Sequence, residues 1–530
     1  MRRTALVSAA IAAVPAAVWL ALDPPSADLA AHLYRAWLFA HHPLAIWDGG
    51  WYSGHLTPAY SVLFPPLAAV VGPQAVGALS APVAAAGFAV LAVERFGRAG
   101  RLAAYWFALA TLSDLLSGRL PFALGLAVGL WALVAASHAR RRPALALAVV
   151  CALVSPVAAL DLALAAAAWW LGAGRRLGLL LAAAALAPVG LLALAFPEGG
   201  SEPYAFSALW HSVLASALVG AAAWRGSQRS RTLAWGGAFS LVLCVAAYAA
   251  ATPLGGNTSR LPALLAGPLL IGLLLDRRAG LRRPEPAGAW AAAAIAVGLG
   301  AVAFQWADGV RDIRKSDADP SVTSAYYAPL LGFLDRQGAA PFRVEIPFTL
   351  SHYEATRVAP RYPLARGWER QLDRGDNALF YATRRLTPAA YAAWLDSTGV
   401  RFVALPDAQL DKSAREEAAL LRSDAVIGLR PVFRSAHWQV WERAQARLVV
   451  GPGRLAALGV SSFALEADRP ATLLVRERFS PYWALASGSG CVADGPGGLT
   501  LLTVRRPGLV RVVTRFALDR LVDRGPRCRA

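Results

Sequence analysis

The sequence predicts a polytopic α-helical membrane protein with a C-terminal extracytoplasmic part, α/β first and β-sandwich-like after it. Three observations carry this expectation. Hydrophobic residues make up 57% of the chain, more than an ordinary soluble domain holds. Before about residue 306 they lie in long blocks, of the length needed to cross a ~30 Å hydrocarbon core. Beyond it, charges recur every few residues and Gly/Pro turns separate short alternating strands. The expected division is 1–306, 307–445 and 446–530, and the last two parts are long enough for their own cores.

Read in order, the apolar runs are 4–22, 58–94, 102–117, 120–137, 144–172, 177–196, 207–224, 232–251, 261–276 and 287–306, giving about ten or eleven spans. Met1-Arg2-Arg3 before the first run reads as a retained signal-anchor helix with its N-terminus in the cytoplasm. Run 58–94 holds one span plus a shorter helix, or two spans. Run 144–172 should break into two short helices at Ser155-Pro156, because proline cannot donate to the helical ladder. Basic residues cluster at Arg95–Arg101, Ala139–Arg142, Arg175-Arg176, Arg225–Arg231 and Arg277–Arg283. The positive-inside rule makes these loops cytoplasmic. It thereby accounts for much of the +19 net charge, and no basic helix or basic–aromatic stripe points to nucleic acid. The alternate connections, 23–57, 113–121, the Ser155-Pro156 break, 197–206 and 252–260, then face outward with everything after the last span.

The soluble part reads as a helix over 326–336, a strand over 342–347, a helix over 387–396, a strand over 401–406 and a hairpin over 431–442. From Ala446 onward, strands alternate with turns at 451–453, 467–470 and 494–498. Of four cysteines, Cys151 and Cys244 lie in apolar runs, whereas Cys491 and Cys528 are the two in the soluble part. An extracytoplasmic location suits a Cys491–Cys528 disulfide.

The outer loops hold the residues with chemistry. Loop 23–57 contains Asp28, Asp48 and four of the eight histidines. Pro24-Pro25-Ser26 signals a helix start, which sets Asp28, His32 and Arg35 at i, i+4 and i+7 on one face. Trp47, Asp48, Trp51, Tyr52 and His55 have the composition of a sugar-binding wall: aromatic faces for C–H surfaces and a carboxylate for hydroxyls. Asp114 and Arg119 sit in a turn between two runs, where charge is costly unless paired or functional. Gly255–Arg260 is a Gly-rich turn whose Asn257 and Arg260 suit a phosphate at the interface. Asp28, Asp48, His55 and Asp114 offer ligands of the kind Mg²⁺ or Mn²⁺ takes, but no pair has diagnostic spacing.

With one N-terminal span, then Asp28-Leu-Ala-Ala-His32, a Trp-Asp…Tyr-x-Gly segment, Tyr60-Ser-Val-Leu-Phe-Pro-Pro66, the Ser113–Pro121 turn and the Ser155-Pro156 break, the chain resembles the GT-C superfamily. These are glycosyltransferases that use polyprenyl-phosphate sugars. The resemblance covers roughly residues 1–306 and is nearest to the bacterial branch labelled 6-pyruvoyl-tetrahydropterin synthase-related membrane proteins. It implies a bacterial plasma-membrane enzyme. A sugar would pass, with inversion, from the lipid donor to an envelope glycan or lipid acceptor on the outer face. Asp28 matches the catalytic acidic residue of the family's first outer loop, with His32 beside it, and Asp114 approximates a second acidic position. Arg260, Arg119, Arg35 and Asn257 would meet the donor phosphate. An Asp-x-Asp metal pair is absent. A non-enzymatic envelope-assembly or glycan-binding protein of the same fold is the alternative, and a transporter is third. Asp161 is the one carboxylate deep in a run, where a transporter would place several.

Overall fold

The computed structural model describes residues 1–226, 230–276, 287–316, 319–382 and 384–529. The basic loop 277–283 lies outside them, as does the middle of 225–231. The chain divides into two compact units. The first comprises Met1–His32, Ala59–Ala193 and Gly199–Asp317, and the second Leu33–Pro58, Leu194–Glu198 and Ala318–Ala530. The predicted part 446–530 therefore shares one unit with most of 307–445 and most of loop 23–57, while the start of 307–445 belongs to the first unit.

The first unit is helical. Its elements are α1 (Arg2–Leu22), the start of α2 (Ala27–His41), α3 (Phe64–Val71), α4 (Pro73–Phe96), α5 (Gly100–Ala110), α6 (Leu112–Leu116), α7 (Leu120–Ser137), α8 (Arg141–Val154), α9 (Pro156–Ala173), α10 (Leu177–Ala195), α11 (Phe206–Trp224), α12 (Arg231–Ala249), α13 (Arg260–Leu275) and α14 (Ala287–Ser316). Among the described residues, eight helical segments are long and apolar enough to cross a membrane: α1, α4, α7, α9, α10, α11, α12 and Gly255–Leu275, which contains α13. The chain is thus a multi-pass helical protein with a sheet-rich C-terminal region.

Two predicted runs behave differently from one another. Run 144–172 breaks where expected: Ser155 is extended (φ −152°, ψ 112°) and its hydroxyl accepts from the Ala158 amide at 3.4 Å. Run 102–117, expected as one span, is instead split at Thr111 into α5 and α6, neither long enough to cross alone. An 11-residue helix covers about 16 Å. The hydroxyls of Thr111 and Ser113 donate to the carbonyls of Ala108 and Ala110 at 2.7 and 2.8 Å, the back-bonding that bends helices. Run 58–94 resolves into the short α3 and the single span α4. The last run continues past 306 as α14, to Ser316.

Small residues set the packing of this unit. Its core joins Phe88, Phe107, Phe122 and Leu162 to many buried alanines. Where α11 and α12 cross, a Cβ on Gly237 would come within 2.7 Å of the Gly220 backbone. Lipid chains are as apolar as leucine, so close backbone approach and dispersion, rather than water exclusion, hold such helices together.

The second unit opens with a two-stranded ribbon, β1 (Trp47–Asp48) against β2 (His55–Leu56). A mixed sheet of order β3-β4-β6-β5 follows, with β3 (Arg343–Glu345) parallel to β4 (Val400–Pro406), and β6 (Trp438–Glu442) antiparallel to both β4 and β5 (Arg430–Arg434). Among its helices are α15 (Ser324–Leu334) and α16 (Glu354–Arg357), then α17 (Arg370–Asp376) and α18 (Pro388–Thr398), and lastly α19 (Arg415–Arg422). Tyr391, Trp394, Val403 and Trp441 form the core here. The rest is two antiparallel sheets. One contains β7 (Val449–Val450), β10 (Ala471–Arg478), β12 (Gly490–Asp494), β13 (Leu499–Val504) and β15 (Arg527–Arg529). The other contains β8 (Gly453–Gly459), β9 (Ser462–Ala467), β11 (Trp483–Ser487) and β14 (Gly508–Thr514). Burial alternates along β9 and β13, the pattern of strands with one face inward. Cys491 and Cys528 pair in register between β12 and β15 and are joined by a disulfide.

Candidate functional site

In the first unit, four separated segments bring charge to one place. Asp28 lies in the first turn of α2 and is half-buried. Against it packs the turn between α6 and α7. Gly118 there has φ +71°, and a Cβ on it would meet Ser26 Oγ and lie 3.2 Å from the Asp28 Cβ. That turn carries Asp114 and Arg119, tied by an Arg119 amide bond to the Asp114 carbonyl of 2.9 Å. Arg119 reaches Asp308 of α14 at 2.8 Å, and Asp308 holds Arg311 at 2.6 Å. From the turn Gly255–Ser259, Arg260 donates to Asn257 Oδ1 at 2.5 Å and lies 5.2 Å above the Phe122 ring, with its Nε buried and without a hydrogen-bond partner.

The charges act on one another. Arg119 and Arg260 are both within electrostatic reach of Asp28 and of Asp114. Burial works to lower the pKa of Arg119, but Asp308, Asp114 and Asp28 outweigh it and hold the guanidinium above its ordinary value. Burial pushes the Asp114 carboxyl up to about 6, against the pull of Arg119 and Arg260. Asp312 is likewise raised to about 6, by burial and then by the charge of Asp28. Asp161, on α9, lies within reach of Arg260 and Asp114, and its Oδ2 is buried without a hydrogen-bond partner. His32 is buried between Tyr60 and Phe64, with ring centroids 6.1 and 5.4 Å away.

The other residues singled out from the sequence lie in the second unit, as a separate cluster. Arg35 forms an ion pair with Glu369 there. His55 stands 3.7 Å from Glu369 and 3.8 Å from Asp48. Asp48 Oδ1 accepts from Tyr34 Oη at 2.9 Å and from the Gly50 amide at 2.8 Å. Trp51 stacks between Tyr34 and His55, at 4.3 and 5.8 Å. The Tyr52 hydroxyl donates to the Gly367 carbonyl and accepts from the Glu369 amide at 2.8 Å. Trp47 packs edge-on against Trp483 at 5.2 Å. None of Trp47, Asp48, Trp51, Tyr52 and His55 is more than 3% exposed. These side chains make a core rather than an open wall. Burial raises Asp48 to about 6 and depresses His55 to about 3, the latter helped by the charge of Arg35.

Thus Asp28, Asp114, Arg119, Asn257 and Arg260 converge, and Arg35 and the aromatic loop residues belong elsewhere. Asp308 and Asp312 were not anticipated, because they lie beyond the apolar run that marked the last span. The signal was present: Asp308, Arg311, Asp312 and Lys315 continue the helical spacing past Trp306. Among the described residues no group of three or more His, Cys, Asp or Glu side chains is placed to hold a metal ion. No protein-family model and no curated protein matches the chain.

Proposed function

We propose that the chain is a GT-C-type membrane glycosyltransferase. It moves a sugar from a polyprenyl-phosphate donor to a cell-envelope acceptor on the outer face of a bacterial plasma membrane. The observation that carries this reading is the cluster of Asp28 with Asp114, Arg119 and Arg260. One carboxylate follows the first apolar helix, and two guanidiniums stand within reach of its charge. Asp28 takes the proton from the acceptor hydroxyl as its oxygen attacks the anomeric carbon. The bond to the lipid phosphate breaks on the opposite side, so the anomeric centre inverts. Arg260 and Arg119 meet the phosphate charge as it leaves, through charge-assisted hydrogen bonds. Arg119 is pre-oriented by Asp308, whereas the Nε of Arg260 is left with a donor to give.

General-base assistance is typically worth ~10²–10⁴-fold. Asp28→Asn should therefore reduce sugar transfer from a polyprenyl-phosphate donor by about that factor in proteoliposomes, with donor binding and thermal midpoint retained. Normal transfer by this variant removes the assignment. Asp161, a buried carboxylate within a membrane-length helix, is the feature that favours transport instead. Transport predicts that Asp161→Asn abolishes function while Asp28→Asn leaves it intact.

A further inference from the structure

We infer that the second unit carries its own lipid-contacting surface, formed by Leu44, Phe516, Leu518 and Val522, which seats in the headgroup region of the bilayer. The surface breaks the ordinary rule of exposure. Leu44 is 86% exposed, Leu518 73% and Val522 91%. In the short 3-10 turn Leu518–Leu521 the arrangement is inverted relative to water: the charged Arg520 is buried, while Leu518 and Val522, four apart, point out. The inversion is held in place. Arg520 donates to the Pro481 carbonyl at 2.9 Å and to the Gly525 carbonyl at 2.7 Å, and pairs with Asp523 at 3.1 Å. These bonds hold Arg520 inward within the turn that presents Leu518 and Val522. Leu44 and Phe516 line one cleft of about 360 Å³, so the loop after α2 and the end of β14 meet at one edge, and Leu518 and Val522 follow Phe516 closely in the chain.

The occupant follows from where that edge is anchored. Phe516 packs against Phe196 and Tyr482, with ring centroids 5.8 and 5.4 Å away. The Tyr482 hydroxyl donates to the Ala195 carbonyl at 2.5 Å. Ala195 is the last residue of α10, one of the helices of membrane-crossing length and composition, and Phe196 is the next. The edge is therefore tied to the residues that directly end and follow a helix of membrane-crossing length and composition, where such a chain passes from hydrocarbon to headgroups. Aromatic and aliphatic side chains gain there by entering the interface. Exposed Arg515 and Arg524 lie beside it in the chain and suit headgroup phosphates. The inference rests on the membrane-crossing helix alone and not on glycosyl transfer.

The test uses the full-length protein in phosphatidylcholine–phosphatidylglycerol vesicles. An environment-sensitive fluorophore is attached at Leu518→Cys, at Val522→Cys, and at Ile427→Cys. Ile427 is an equally apolar residue of the same unit, 87% exposed. Labelled wild-type protein supplies the background from the native cysteines. Probes at 518 and 522 should be blue-shifted and quenched several-fold more by a shallow spin-labelled lipid than by aqueous iodide. The probe at 427 should show the reverse preference. Iodide quenching at 518 and 522 as strong as at 427 overturns the inference. So does shielding from both quenchers, which would mean that another protein surface, such as a second copy, covers the edge.

Discussion

His55 and Asp48 show how burial, rather than residue type, decides what a polar side chain does. Both lie in a loop whose composition suggested contact with sugars, and both are buried against protein. The fold keeps His55 neutral down to about 3, whereas the unfolded chain takes up its proton near 6.5. The stability that neutral His55 contributes is thus complete above pH 6.5 and is lost as pH falls toward 3, by about 1.4 kcal/mol per pH unit. Asp48, raised from 3.8 to about 6, acts in the opposite sense between those values, because there the fold binds a proton that the unfolded chain does not. The two slopes offset each other between about pH 4 and 6. His55→Asn removes one of them. Its stability relative to wild type should rise by about 2 kcal/mol between pH 6.5 and 5, read from denaturation midpoints in detergent. Parallel curves for the two proteins would contradict this. In the first unit, Arg260→Ala should weaken binding of polyprenyl phosphate by ~1.5–3 kcal/mol, the worth of a hydrogen bond to a charged group. Unchanged affinity in equilibrium binding would remove Arg260 from the donor site. Asp28, Asp114, Arg119 and Arg260 were all legible as candidates because charge beside an apolar run is costly and rarely idle. That Arg35 pairs with Glu369 was not legible, since its partner lies more than three hundred residues away.

At the scale of elements, the turn between α6 and α7 sets the candidate site. Gly118 adopts φ +71°, a conformation that costs an L-residue roughly 1–2 kcal/mol, and it lets the turn close onto Ser26 and Asp28. Gly118→Ala should lower the thermal midpoint and reduce transfer more than that stability loss explains, because Asp28 must shift away from Arg119. A variant with wild-type transfer and midpoint would show that the close approach is unimportant. Helix breaks were legible in proportion to their chemistry. Ser155-Pro156 announces itself through the missing proline donor. Thr111 has no such mark, since a hydroxyl that bonds back along its helix is no different in sequence from one facing a neighbour.

For the whole molecule, the proposed sidedness links the membrane spans to the chemistry. Basic loops in the cytoplasm and a disulfide-bonded domain outside are mutually consistent, because disulfides persist in oxidising compartments. A membrane-impermeant thiol reagent should label Ile427→Cys on intact cells and Arg140→Cys only after lysis, both positions being exposed. The opposite pattern reverses the orientation and takes the outer-face reaction with it.

What the sequence determined by itself is whatever depends on local pattern. Apolar run length marked the eight helical segments long and apolar enough to cross a membrane, although it also marked 102–117, which splits at Thr111; proline marked the Ser155 break, and alternation marked the strands of the C-terminal region. Cys491 and Cys528 were the only cysteines of the soluble part and are joined. What only the tertiary structure decided is which of two like residues faces the site. Asp28 and Asp48 are both acids in one short polar loop. Asp28 stays half-buried beside Arg119 and Arg260, whereas Asp48 is enclosed by Tyr34, Gly50 and His55. The same holds for Trp51, whose indole donates to the carbonyl of Ala355 at 3.2 Å. The free energy of enclosing an aromatic residue depends on the surfaces that surround it, and here they come from distant parts of the chain that no local pattern connects.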